Sequence, residues 1–297
     1  MQSVTRWPGL RERVEAEARE IWQITVLIYN ELWRTRAFTI AAALAYYFLL
    51  ALVPLIVIFS SLLQFLPIPN VFQAMLDLMA EVVPADSMNF VVTILSSILT
   101  PNRGKLLSFG VAGYLWAATG GFSSLIEALD IAYDVPPEKQ RNWWRNRLQA
   151  LLLTFTSGGL VSISLLALVA GPHFGHFLTR LFPIPQAFEH VWPLLRLAVT
   201  FLAFFLSLEL IYYLGPNVKH RFATTQPGAL VAITGWFLGS TGLSFYLSHL
   251  SNYNATYGSM GALVGLMLWF YLSAVAILIG AELNAELCKR RTMKAKS

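Results

Sequence analysis

The sequence predicts an all-α, polytopic integral membrane protein with six transmembrane helices, and three observations carry that reading. The chain is 56% hydrophobic and only 12% charged, with a mean hydropathy of +0.58, well beyond the usual soluble composition. Its apolar residues gather in windows of about 20, the length that crosses a hydrocarbon core. Lys and Arg gather in alternate connecting segments, which is the asymmetry that orients a multi-pass chain.

Residues 1–37 come first. Val14, Ala18, Ile21, Trp22, Ile24, Ile28 and Leu32 recur at helical spacing, with Arg13, Glu17, Glu20 and Glu31 on other faces, so this segment is expected to be an amphipathic helix on the cytoplasmic surface. Acids and bases alternate in it before any apolar run, unlike a signal peptide. The six expected spans are 38–66, 106–131, 148–171, 193–214, 228–250 and 257–280. The first is longer than about 30 Å of hydrocarbon requires, and Pro54 is expected to kink it. Between the first two spans, Gln73, Asp77 and Glu81 fall four apart, as a polar stripe does on a helix, and Asn89, Thr93, Ser97 and Thr100 form a similar stripe. Residues 70–100 are therefore expected to hold outer interfacial helices, with the stretch after residue 88 either interfacial or re-entrant. Residues 281–297 are read as a basic cytoplasmic tail.

Orientation follows from charge. Arg6, Arg11, Arg13, Arg19, Arg34 and Arg36 precede the first span, Lys139, Arg141, Arg145 and Arg147 lie in the second loop, Lys219 and Arg221 in the fourth, and five Lys or Arg in the tail; the alternate loops hold Arg103, Lys105 and Arg180. Both termini are thus expected to be cytoplasmic. The same distribution explains a sequence pI near 9.4 without invoking nucleic acid. The single cysteine, Cys288, cannot form an intramolecular disulfide and reads as a reduced thiol.

Several longer words stand out: "AAALAYYFLLALVPLIVIFSSLL" in the first span, "GYLWAATGGFSSLIEALDIAYDV" in the second, "QPGALVAITGWF" opening the fifth and "YGSMGALVGLMLWFYLSAVAILIGAELNAEL" in the sixth. Together they resemble the YihY/BrkB family of bacterial inner-membrane proteins, over residues 21–286. That resemblance implies a six-helix inner-membrane protein. It brings an old ribonuclease assignment, a virulence or serum-resistance role, and a link to transport of lipids or other envelope molecules.

The polar residues inside the apolar segments are the functional candidates, because a charge in a bilayer is costly. Glu209 lies about five residues, or roughly 7 Å, before the end of the fourth span. Glu127 and Asp130 close the second span, and Glu282 and Glu286 flank Asn284 at the end of the sixth. Like charges one turn apart at a helix C-terminus are unfavourable. Cations are therefore expected nearby, and Arg34, Arg36, Arg145 and Arg147 stand at the starts of neighbouring helices. Two readings of this set remain open: a charge network pinning helix ends together, or a cytoplasmic vestibule that admits a cationic or zwitterionic group or exchanges protons. Tyr46 and Tyr47 sit in mid-span, where a buried phenol needs a partner, and Asn254 and Tyr257 cap the outer mouth of the sixth span; with Glu209 they form the candidate substrate or ion pathway.

No catalytic constellation is found. His173, His176 and His190 are expected outside, His249 near an outer helix end, and only His220 in the cytoplasm. No Cys/His cluster, phosphate loop or nucleophile motif accompanies them, so ribonuclease chemistry, metal, cofactor and nucleic acid are not expected. Membrane lipids are the expected partners. The small-xxx-small pairs Gly235/Gly239 and Gly261/Gly265 suit close helix packing first and homo-oligomerisation second. A translocase of an amphipathic envelope molecule and a non-transporting membrane scaffold are the two functions that fit.

Overall fold

The structure, a computed structural model, describes residues 8–63, 88, 92, 103–181, 187–249 and 253–294. No strand occurs among them, in keeping with the expected all-α class. The helices are α1 (Pro8–Arg34), α2 (Ala37–Leu63), α3 (Arg103–Ala132), α4 (Trp143–Leu181), α5 (Ala187–Leu214), α6 (Gln226–His249) and α7 (Tyr253–Lys294), with single 3₁₀ turns at Pro137–Lys139 and Phe222–Thr224. The interfacial helices expected across 70–100 lie outside the described residues, apart from Met88 and Val92.

By length and apolarity, four segments among the described residues can cross a membrane: Trp143–Leu165, Val191–Leu214, Gln226–His249 and Leu263–Arg291. Trp22–Arg34 and Ala37–Leu52 add a fifth if that pair, bent by 68°, is one broken span. Six spans were expected. The helix α3 falls outside this set because Gly, Ser and Thr between residues 113 and 124 dilute its apolar content. Residues 281–294, within the expected basic cytoplasmic tail, continue α7 as helix. Pro54 lies within α2, and a Cβ on Gly113 of α3 would lie 3.4 Å from the proline ring, an ordinary contact.

Packing pairs α2 with α3 and α7, α4 with α5, α6 with α7, and α3 with α4. The core, built from Leu44, Leu129, Leu208, Tyr212, Ala232, Ala274, Leu278 and Ala281 among others, is rich in alanine, which lets backbones approach. Leu194, Phe237, Leu238 and Phe245 are exposed, as expected of residues that face hydrocarbon. The Gly235/Gly239 face of α6 meets Ala276 and Leu272 of α7, and Gly265 of α7 meets Leu247. These glycines therefore serve contacts within the chain.

Two helix ends use the left-handed region without glycine. Arg36, at φ 54°, turns the chain between α1 and α2: its N–H reaches the carbonyl of Trp33, and its own carbonyl accepts from Thr39 and Ile40 to start α2. Asp134, at φ 50°, ends α3 with the Val135 N–H on the carbonyl of Asp130 and its own N–H on that of Ile131. This is the paired closure in which a glycine is the usual residue and a short polar side chain the common substitute.

Candidate functional site

The polar residues converge at the end of the bundle where α1, α3, α5 and α7 terminate and α6 begins; it carries Arg34, Arg141 and Lys289, and is called the basic end here. The helix α6 starts beneath α7 because Asn284 holds it there. The Gly228 N–H, an unpaired donor of the first turn of α6, donates to Asn284 Oδ1 at 2.8 Å, and Asn284 Nδ2 donates to the Thr225 carbonyl at 2.9 Å. The two helices cross so closely that a Cβ on Gly228 would overlap Asn284 Nδ2 and the Gly280 carbonyl, and a Cβ on Gly280 would overlap the Gly228 carbonyl. Tyr212, fully buried, donates its hydroxyl to the Ile277 carbonyl at 2.7 Å. In physical terms, the Gly-Ala-Glu-Leu-Asn word is a seat for the start of α6.

Two carboxyl groups are buried beside this seat. Glu209 is 0% exposed; its Oε2 is 2.6 Å from the Thr225 hydroxyl, and its Oε1 is buried with no hydrogen-bond partner. Glu282 is 4% exposed and meets the Thr35 hydroxyl at 2.8 Å through Oε1. The two environments follow one plan. The Thr225 hydroxyl is also 2.7 Å from the Phe222 carbonyl, and the Thr35 hydroxyl 2.8 Å from the Glu31 carbonyl. A hydroxyl has one proton to donate, so each threonine faces a carboxyl and a carbonyl with a single hydrogen. It must either share that hydrogen or receive a second one from the carboxyl.

Tyr133, also buried, feels both carboxyls. Burial pushes its phenol above the ordinary value, with Cys288, Glu209 and Glu282 acting in the same direction. Its ring stacks on His220 at 5.6 Å.

The expected arginine partners are distributed differently. Arg34 pairs with Glu31 and with Asp134, at 2.8 Å to Asp134, and Lys289 pairs with Asp134 at 2.6 Å. Glu286 takes Arg290 of its own helix at 2.7 Å. Glu127 accepts from Asn146 Nδ2 at 3.1 Å, and Asp130 from the Asn217 N–H at 2.6 Å. Among the described residues, no ion pair joins Arg36, Arg145 or Arg147 to these acids. The cation facing Asp130 is Arg141, whose guanidinium is lowered by burial against the opposing pull of Asp130. Arg141 donates to the carbonyls of Gly215, Leu214 and Pro216, tying the end of α5 to the turn before α4.

Asp134, outside every expected span, is the acid that holds two cations; burial raises its carboxyl, but the hydrogen bonds from Lys289 and Arg34 outweigh this and hold it below the usual carboxylate range. Asp134, Thr35 and Thr225 were not among the residues singled out from sequence. Asp134 is signalled by an acid one step past a helix end and ahead of Pro136-Pro137, a position suited to left-handed backbone. The threonines carry no comparable signal.

Among the other pathway candidates, Tyr47 packs over Gly120, where a Cβ would lie 2.7 Å from its ring; Tyr46 is 53% exposed. Asn254 and Tyr257 lie in the first turns of α7, and their side chains fall outside those described. The structure thus gathers Glu209 and Asn284 around Thr225, holds Glu282 on Thr35, and leaves Tyr46 and Tyr47 elsewhere on α2.

Comparison with known proteins gives the sequence a context. The profile of the family described as Virulence factor BrkB matches residues 28–297. A Bacillus subtilis (strain 168) protein named putative ribonuclease-like protein YfkH is 36% identical over 253 residues, 85% of this chain and 90% of that protein. An Aeromonas salmonicida (strain A449) protein named UPF0761 membrane protein is 28% identical over 275 residues, 87% of this chain and 86% of that one. No solved structure matches.

Proposed function

Because this chain belongs to the Virulence factor BrkB family of membrane proteins, we propose that it is a non-enzymatic translocase of an amphipathic envelope molecule in a bacterial inner membrane, with both termini cytoplasmic. The observation that carries this reading is Glu209. Its carboxyl has no exposed surface, has one oxygen without a hydrogen-bond partner, and lies in the apolar segment Val191–Leu214. Among the described residues no cation pairs with it. A charged group at such a depth costs several kcal/mol, a cost offset where the group exchanges a proton or meets a polar part of a cargo. Glu282, tied to Thr35 in the same manner, supplies a second such group. The ribonuclease-like name belongs to the Bacillus relative; the buried carboxyls here are enclosed by helices and offer no surface to RNA.

The test is fluorescent-phospholipid flux in proteoliposomes, comparing wild type with Glu209→Gln. The expected outcome is flux above empty liposomes that falls at least tenfold in the variant at unchanged melting temperature. No flux in wild type removes phospholipid as the cargo. The exposed aromatic residues Trp22, Tyr29 and Trp33 of α1 favour the second reading, a membrane scaffold, which gains if Glu209→Gln lowers only the melting temperature.

A further inference from the structure

A groove of about 600 Å³ opens at the basic end; its lining includes neither Glu209 nor Glu282 and runs from charge to hydrocarbon. At one end stand Lys139, Arg141, Asn142 and Arg145; at the other, on the helix that carries Arg145, stand Leu148 and Leu152. The lining holds three cations and the acid Glu138, and with Asp130 behind Arg141 the polar end is still left positive, its charge resting on Lys139 and Arg145. The charges differ in their commitments: Arg141 is spent on three carbonyls, while among the described residues Lys139 and Arg145 make no ion pair.

The depth of the groove is fixed by its helix. Trp143 and Trp144, 66% and 71% exposed, begin the segment Trp143–Leu165 that can cross a membrane, and exposed tryptophans at a span end mark the headgroup level. Arg145 therefore stands where phosphates lie. Leu148, Leu152 and Phe155 are exposed at helical spacing below it, over about 10 Å of helix, where acyl chains lie. Asn142 immediately precedes α4 and Arg145 belongs to its first turn, whose N–H groups have no acceptor within the helix and favour an anion.

We propose that this groove binds one anionic glycerophospholipid, its phosphate between Lys139 and Arg145 and an acyl chain along Leu148, Leu152 and Phe155. The charge gradient selects this occupant: a soluble anion would leave the leucines uncovered, and a neutral lipid would leave the cations without a counter-charge. The proposal concerns binding and stands apart from translocation.

The test uses the purified full chain in neutral detergent, with acyl-labelled phosphatidylglycerol and phosphatidylcholine as probes and thermophoresis as readout. Phosphatidylglycerol is expected to bind at least tenfold more tightly than phosphatidylcholine, a preference that Lys139→Gln/Arg145→Gln abolishes at about fivefold per cation without moving the melting temperature. Lys219→Gln/Arg221→Gln, which removes two exposed cations at the same end but outside the groove, is expected to leave binding unchanged. The proposal is overturned if the two lipids bind alike, if both double variants lose affinity equally, or if glycerol phosphate competes as well as unlabelled lipid. Binding without flux would sink the translocase and keep the groove.

Discussion

Asp134 has one task for its backbone and another for its carboxylate. The backbone sits at φ 50° to close α3, while the side chain holds Lys289 and Arg34. Asn tolerates the same backbone region, so Asp134→Asn separates the two. The folded carboxyl titrates below its ordinary value of 3.8, so its ion pairs contribute stability that is fully present above that pH and lost as pH falls through the folded value. Wild type is expected to lose melting temperature in detergent more steeply than Asp134→Asn as pH falls below the ordinary carboxylate value of 3.8; parallel curves would show that the ion pairs contribute nothing. The acids in apolar runs were legible in the sequence because Glu209 and Glu282 interrupt segments that otherwise hold almost no charge. Their partners were not. Coulombic reasoning pointed to arginines, but Thr35 and Thr225 reach the carboxyls from helix boundaries remote in sequence, and hydroxyls leave no trace in a charge pattern.

Among the elements, the crossing of α6 over α7 divides its glycines into two kinds. At Gly235 a Cβ would lie 3.6 Å from the Ala276 side chain, an ordinary contact, so Gly235→Ala is expected to be neutral or stabilising by up to about 1 kcal/mol from helix propensity. At Gly228 the space is filled by Asn284 and the Gly280 carbonyl. Gly228→Ala must push the start of α6 off its seat, and Asn284→Leu must leave the Gly228 N–H without its acceptor. Each is expected to cost about 1–3 kcal/mol, read as a lower unfolding midpoint in detergent; a Gly228→Ala midpoint equal to that of Gly235→Ala would refute the close seat. Small-xxx-small spacing flagged Gly235 and Gly239, which tolerate more, and passed over Gly228 and Gly280, which stand on different helices and become a pair only through the crossing. The helices themselves were legible from apolar periodicity, whereas the 68° bend was not, since Arg36 carries no mark of the left-handed turn it makes.

At the level of the whole molecule, the ends of α1 and α7 meet, because Arg34 and Lys289 share Asp134. Under the proposed orientation, which rests on the charge asymmetry of the loops, both termini are expected on the cytoplasmic side. A C-terminal green fluorescent protein fusion is expected to fluoresce and a C-terminal alkaline phosphatase fusion to be inactive; the reverse pattern would invert the orientation. The Thr35 to Glu282 contact spans 247 residues of sequence. At roughly 5–20 residues per second of synthesis, the bend between the first two helices waits on the order of 10–50 s on the ribosome before its carboxyl partner exists. The turn of α7 that carries Glu282 is thus a latch that closes only after most of the described chain has been made. A chain interrupted before residue 282 would leave the ribosome with the bend at Thr35 and Arg36 never fastened, a substrate for membrane proteases.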